Sequence, residues 1–238
     1  MSTKTKAIIL AAGKGTRLYP LTLEKPKCLL EVGGMSVINR QIAVIREMGI
    51  EDIVMVVGYK KEVIMSQVGA KVRYREYLNF DETNNLHTLW SVRDELNNAF
   101  ICFFSDLIFD ADLIRKAMVS NNDICMVCNT NKILEGTMRI KLTDGKLTGV
   151  GGHIPVSEGS GNFLGIAKFS KRGANLLVDQ MRKMVSGHKN DYYTIAIDVL
   201  AKKGIEIGYV NLDDSLWVEI DTEKDLESAH KLLLDRSI

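Results

Sequence analysis

From Lys6 to Cys128 the chain alternates short, unbroken apolar runs with amphipathic stretches, and this alternation narrows the accessible folds more than any other feature. Lys6 to Ala12, Ile53 to Val57, Phe100 to Phe104 and Ile124 to Cys128 read as strands that are apolar on both faces, as in a parallel sheet covered by helices on either side. Lys71 to Glu76 reads as a further strand. Between these runs, Ser36 can cap a helix to about Met48 that carries Val37, Ile38, Ile42, Ile45 and Met48 on one face and stops at Gly49. Glu62 to Gln67, Asn85 to Leu96 and a stretch capped by Asp110 or Asp112 and ending near Ser120 complete the helical segments. The expected architecture is therefore α/β: a three-layer α/β/α, Rossmann-like arrangement around a mostly parallel, mixed sheet.

The rhythm changes after Cys128. Met138, Ile140 and Leu142 alternate ahead of an Asp144-Gly145 turn, which predicts a hairpin and a small antiparallel β insertion over Thr137 to Gly149. Asn162 to Phe169, Ile205 to Val210 and Trp217 to Ile220 read as strands, and Lys171 to Val185 and Tyr192 to Lys203 as helices. A last helix runs from Thr222 to about Leu234, with Thr222 and Asp225 in capping-box positions. No linker, repeat or low-complexity tract interrupts the chain, so residues 1–238 are expected to form a single domain.

Composition excludes some functions. Thirty-one Lys and Arg nearly cancel 30 Asp and Glu, so no bulk basic field is available for nucleic acid or an anionic membrane, and neither is expected as a partner. The apolar run Ala7 to Ala12 is too short to span a bilayer or act as a secretory core. Four cysteines (Cys28, Cys102, Cys125, Cys128) lie in hydrophobic surroundings and fit reduced thiols; a cytoplasmic location is expected. Cys125 and Cys128 are three apart on a strand and point to opposite faces, so they cannot share a metal ion.

The loop after the first strand has the parts a triphosphate requires. In Leu10-Ala11-Ala12-Gly13-Lys14-Gly15-Thr16-Arg17, the small residues permit close backbone approach and the exposed N–H groups can cup anionic oxygens. Lys14, Arg17, Lys25 and Lys27 add positive charge, and the guanidinium of Arg17 can grip two oxygens at once. The dinucleotide fingerprint would need a third glycine where Leu18 stands, and the Gly-Lys-Ser/Thr of a Walker loop is absent.

The Leu10-Ala-Ala-Gly-x-Gly-Thr-Arg17 run with downstream Pro26-Lys27 closely resembles the signature of the nucleotidyltransferases that make sugar nucleotides and CDP-activated headgroups. The resemblance extends along nearly the whole chain. Phe104-Ser105-Asp106 falls where that family has its magnesium aspartate, with Ser105 placed beside the nucleotide, and Trp217-Val-Glu-Ile-Asp221 resembles the second metal-binding stretch. Read without the resemblance, Asp106 is equally a turn or helix cap and Asp221 the start of the last helix. The resemblance implies Mg2+ held by Asp106 and Asp221, and in-line attack of a phosphate or phosphonate oxygen on the α-phosphorus of a nucleoside triphosphate. Arg17 would hold the β and γ phosphates, and Lys27 would bridge nucleotide and acceptor.

Within the family, Glu82-Thr-Asn84-Asn85-Leu-His87 looks like the cytidylyltransferases for phosphocholine, 2-aminoethylphosphonate and related phosphonates. That likeness puts Asn84 and Asn85 near nucleotide or acceptor, although both are equally good helix caps. Backbone around Ala11 to Gly13 would read the base. Asn190-Asp191-Tyr192-Tyr193 resembles the acidic, aromatic stretch that faces the amino end of phosphocholine, and an ammonium group favours such ring faces; a capped helix with core tyrosines is the structural alternative. Phe163-Leu-Gly165 lacks the tryptophan of a full aromatic cage. His87 could touch substrate from beside the Asn pair.

The expected substrates are thus CTP and a small phosphorylated or phosphonate metabolite, with a homodimer left open. Two other classes remain: a sugar-1-phosphate nucleotidyltransferase using UTP or dTTP, and a catalytically inactive regulatory module of the same fold. Intact Arg17, Lys27, Asp106 and Asp221 argue against the last.

Overall fold

The structure, a computed structural model, describes residues 5–134 and 136–235. Its strands are β1 (Lys6–Ala11), β2 (Glu31–Val32), β3 (Met35–Ser36), β4 (Ile53–Val57), β5 (Arg73–Glu76), β6 (Phe100–Phe104), β7 (Leu107–Phe109), β8 (Ile124–Asn129), β9 (Arg139–Thr143), β10 (Lys146–Gly151), β11 (Gly161–Phe169), β12 (Ile207–Asn211) and β13 (Trp217–Glu219). Its helices are α1 (Val37–Glu47), α2 (Lys61–Val68), α3 (Asn85–Ser91), α4 (Ala111–Val119), α5 (Lys171–Met184), α6 (Thr194–Lys202) and α7 (Glu223–Asp235).

Nine strands form one sheet in the order β5-β4-β1-β6-β11-β8-β12-β10-β9. β5, β4, β1 and β6 are parallel, β12 is parallel to β8, and β11 runs antiparallel to both β6 and β8. β9 also pairs with β11 through Gly161 and Asn162, so the antiparallel portion curls back on itself. The period of two along β1 separates the two faces. Ile8 and Leu10 pack beneath α3, α5 and α6, whereas Ala7, Ile9 and Ala11 pack beneath α1, α2 and α4. Each wholly buried aliphatic side chain contributes on the order of 1.5–3 kcal/mol, and both faces need a helical cover.

Several local expectations match. Ser36 accepts the N–H of Asn39 at the start of α1, and Asp144 and Gly145 both adopt positive φ in the β9–β10 turn. Thr222 and Asp225 exchange side-chain-to-backbone hydrogen bonds ahead of α7. Other expectations need correction. α3 ends at Ser91 rather than Leu96, because the Ser91 hydroxyl donates back to the Thr88 carbonyl at 2.7 Å and the chain tightens into a 3₁₀ turn. Asp110 stands at the N-cap of α4, but its carboxylate accepts the N–H of Leu216 at 2.8 Å instead of capping. The residues after Asp106 form β7, whose antiparallel pairing with β13 no sequence pattern announced. No helix among the described residues is long and apolar enough to cross a membrane.

Candidate active site

The strand order reverses between β1 and β6: β4 lies to one side of β1 and β6 to the other, with Leu10 opposite Phe104 in the register. Ligands bind outside the carboxyl ends of strands at such a switch point. A cleft of about 370 Å³ opens there.

The loop leaving β1 forms one wall. Leu10, Ala11, Ala12, Gly13, Gly15, Thr16 and Arg17 line the cleft. Gly15 has φ +64° and begins a single 3₁₀ turn over Thr16–Leu18, its carbonyl accepting both the Leu18 N–H and the Thr22 hydroxyl. A side chain there would meet the Lys27 methylenes at 3.0 Å, so glycine is required both by the backbone and by the approach of Lys27.

The floor comes from two distant segments. β6 ends at Phe104, and Ser105 and Asp106 face the opening. The β7–β13 ribbon then brings Glu219 and Asp221 alongside, with Glu219 paired to Leu107 and the Ile220 N–H bonded to the Asp106 carbonyl at 3.0 Å. The Trp217 indole N–H donates to the Leu164 carbonyl and pins the ribbon to the sheet at the bulge in β11. Lys27 Nζ lies 2.6 Å from Asp106 Oδ2 and 2.5 Å from Asp221 Oδ1, and Arg17 reaches the other Asp221 oxygen at 2.8 Å. Burial opposes the charge on Lys27, but the fields of Asp106 and Asp221 outweigh it and raise its pKa above the ordinary lysine value.

Asp106, Glu219 and Asp221 offer oxygen atoms within 4.8 Å of one another. Asp106 Oδ1 is buried and has no hydrogen-bond partner among the described residues, which costs stability unless something cationic completes its shell. Burial first, then the charges of Asp106 and Asp221, push Glu219 up to about 8. An all-oxygen set of this kind, with two cationic side chains beside it, fits a small divalent cation that keeps some water and shares phosphate oxygens.

Asn84 and Asn85 also line the cleft, yet most of their hydrogen-bonding capacity is spent inside the protein. Asn84 Oδ1 accepts the Asn85 N–H, its N–H bonds the Lys189 carbonyl, and its amide donates to Asn190. Asn85 Oδ1 accepts the Tyr193 N–H at 2.8 Å. The pair clamps residues 189–193 to the start of α3 and so sets Tyr192 at the rim of the cleft.

Three expected site residues lie elsewhere. Lys14 turns outward to Asp81 at 2.5 Å. Asp191 pairs with His188 at 2.6 Å and does not line the cleft. Tyr193 is fully buried, packed edge-on against Phe104 and Phe163, because consecutive residues at a helix start diverge and Tyr192 takes the open side. Phe163 belongs to the same core cluster rather than to a cage. Lys25 pairs with Glu31 at 2.7 Å, leaving Arg17 and Lys27 as the cleft's own cations, and His87 is absent from the lining. Sequence reasoning missed Glu219, although its spacing of two from Asp221 in an extended segment places both on one side. It also missed Phe80, Thr83 and Thr88.

A cleft at the switch point, walled by a glycine loop and floored by converging carboxylates, defines an enzyme that handles nucleoside phosphates. Residues 6–135 match the Nucleotidyl transferase family model, and the chain belongs to that family. It is 26% identical to the CTP:phosphoglutamine cytidylyltransferase of Campylobacter jejuni across 93% of this chain and 97% of the relative. It is 37% identical to the choline-phosphate cytidylyltransferase of Streptococcus pneumoniae over 45% and 46% of the two chains. The solved CTP:phosphocholine cytidylyltransferase of Streptococcus pneumoniae superposes with a TM-score of 0.79 at 27% identity, covering 97% of this chain and all of that one. The mixed α/β sheet is thus that of a nucleotidyltransferase, and the chain is a transferase enzyme.

Proposed function

We propose that the protein is a magnesium-dependent cytidylyltransferase that joins CTP to a small phosphomonoester or phosphonate, releasing pyrophosphate. The observation carrying this reading is the meeting of Lys27 with both Asp106 and Asp221 in a cleft walled by the glycine loop. Similarity to full-length cytidylyltransferases supports the choice of CTP.

Asp106 and Asp221, with Glu219 beside them, would hold the divalent ion. When bound, it supplies charge neutralisation at the α-phosphate and a template for the phosphate oxygens. The remaining work falls to the chain's own groups. Backbone N–H groups of Ala11 to Gly15 cup the triphosphate, and Arg17 holds its terminal phosphates as pyrophosphate charge develops. Lys27 screens the repulsion between an anionic acceptor oxygen and the α-phosphorus. No proton need be removed from an acceptor that is already an anion, so alignment and charge compensation account for the rate enhancement. The acceptor's distal end would meet Tyr192 at the rim of the cleft, a ring face suited to an ammonium substituent.

A second reading has one observation in its favour: 40% identity to the UTP--glucose-1-phosphate uridylyltransferase of Haloferax volcanii over 45% of this chain and 46% of that one. Incubation with each of CTP, UTP and dTTP, Mg2+ and a panel of phosphomonoesters, phosphonates and sugar 1-phosphates, followed by phosphorus NMR, separates the two. A new phosphonyl-phosphate or diphosphate linkage with CTP and a small amino-bearing acceptor is the expected result. Product with UTP or dTTP and a sugar 1-phosphate alone would overturn the reading, and no product with any pair would favour an inactive module.

A further inference from the structure

α1 buries Val37, Ile38, Ile42 and Ile45 against the sheet, and one polar side chain interrupts this stripe. Gln41 is 1% exposed. Its amide nitrogen donates to the Phe104 carbonyl at 2.9 Å and approaches the Leu107 carbonyl at 3.4 Å. These two carbonyls flank Ser105 and Asp106, the turn that delivers the Asp106 carboxylate to the cleft. Both partners are acceptors, so the amide can face them in one orientation only. That orientation leaves Gln41 Oε1 buried with no hydrogen-bond partner among the described residues.

A buried amide with an unsatisfied oxygen is a poor device for stability: ordering the group and desolvating the orphan oxygen together offset most of the gain from its hydrogen bonds. An apolar residue of the same volume would suit the stripe better. What the amide supplies is position. Asp106 is fixed from one side by the Ile220 N–H on its carbonyl, and Gln41 fixes the turn from beneath. Gly165, at φ +75° in the β11 bulge, lets Phe104 and Leu107 pack where a Cβ would lie 2.9 Å from each.

We infer that Gln41 is a positioning residue for Asp106, setting the carboxylate in register with Asp221 and Glu219 for a divalent cation. This inference rests on the metal reading above. Removing a group that orients a metal-binding carboxylate commonly weakens metal affinity by about 10- to 100-fold.

The test uses the full chain and Mn2+ alone as the probe, with affinity read from water-proton relaxation, and melting temperature measured in parallel. In the parent, a Mn2+ site abolished by Asp106→Asn is expected. Gln41→Met is expected to weaken that site about tenfold per folded molecule and to raise the metal concentration required for turnover, with nucleotide KM at saturating metal changed less than about twofold. Gln41→Leu removes the same donor without introducing an ionisable group and serves if the methionine variant does not fold. A folded variant of either kind that binds Mn2+ like the parent, whatever its melting temperature, overturns the positioning role. A parent without an Asp106-dependent Mn2+ site would instead overturn the metal reading, and the inference with it.

Discussion

The backbone N–H of Ile220 donates to the carbonyl of Asp106 at 3.0 Å, and through this bond two segments far apart in the chain share one corner. Asp221 follows Ile220 directly, and Glu219 pairs with Leu107 on the other side of the same ribbon. Three carboxylates are therefore brought together by main-chain pairing, which holds whatever their charge state. Their mutual repulsion is relieved by Lys27 and Arg17, the cations that the substrate phosphates would also engage.

Lys27→Ala should lower turnover by about 10²- to 10³-fold, the magnitude found when one preorganised donor is removed from a site of developing negative charge. Turnover should suffer more than folding, since Lys27 stands in the cleft lining and its partners there are Asp106 and Asp221. The variant leaves Asp106 and Asp221 without their shared ammonium, so a divalent ion should stabilise it more than it stabilises the parent. Melting curves with and without Mn2+ measure this difference. A smaller metal-induced rise in the variant would contradict the assigned geometry.

Glu219 gives a pH signature in the metal-free protein. Its folded value of about 8 exceeds the ordinary 4.5, so its contribution to stability is complete below about 4.5 and disappears as pH rises through about 8. Glu219→Gln should flatten that decline, by roughly 1–3 kcal/mol across the interval. Urea unfolding at pH 5 and pH 8.5 in the presence of a chelator gives the comparison. Identical pH dependence in parent and variant would mean that Glu219 does not titrate in this range.

Glu95 behaves with the opposite sign. Its hydrogen bonds from Arg73 lead the causes that lower it to about 2, against the opposing effect of burial, with Lys6 at 2.5 Å adding to the shift. A depressed carboxylate stabilises above the unfolded value and loses that contribution as pH falls from about 4.5 through about 2. Glu95→Gln should cost about 2 kcal/mol at pH 7 and almost nothing near pH 2, while leaving turnover at neutral pH near that of the parent, since this cluster is remote from the cleft lining. Equal destabilisation at both pH values would point to lost packing instead.

The parts of the site visible in the sequence were those encoded by consecutive residues. A buried strand followed by Gly13, Gly15 and Arg17 announces an anion-binding loop, and Phe100 to Phe104 announces the strand that ends at Asp106. Side-chain direction was harder to read. Lys14 and Lys25 share a short basic stretch with Lys27, but long flexible side chains follow the nearest carboxylates, here Asp81 and Glu31. Tyr192 and Tyr193 are neighbours in sequence and part company in the turn that leads into the helix starting at Thr194, where successive side chains diverge. The β7–β13 pairing is a long-range contact between two three-residue strands, too short to leave a pattern of their own. Glu219 was missed despite its spacing of two from Asp221, and Gln41 despite the break it makes in an apolar stripe; Glu219 belongs to the carboxylate cluster itself, and Gln41 bonds the main chain on either side of Ser105 and Asp106.

Gly15→Ala tests the coupling between the loop and that cluster. Alanine at φ +64° costs about 1–2 kcal/mol in backbone strain. Its methyl would also press on Lys27 Cβ at 3.0 Å and Cδ at 3.2 Å; Cβ is tied to the main chain, so the segment carrying Lys27 must shift and take the side chain with it. The ammonium would then leave its position between Asp106 and Asp221. Turnover should fall at least tenfold with a decrease in melting temperature of only a few degrees, and Gly34→Ala, at φ +75° with open space around it, supplies the control for strain alone. If the two variants lose turnover equally, the contact between Gly15 and Lys27 does not hold the lysine in place.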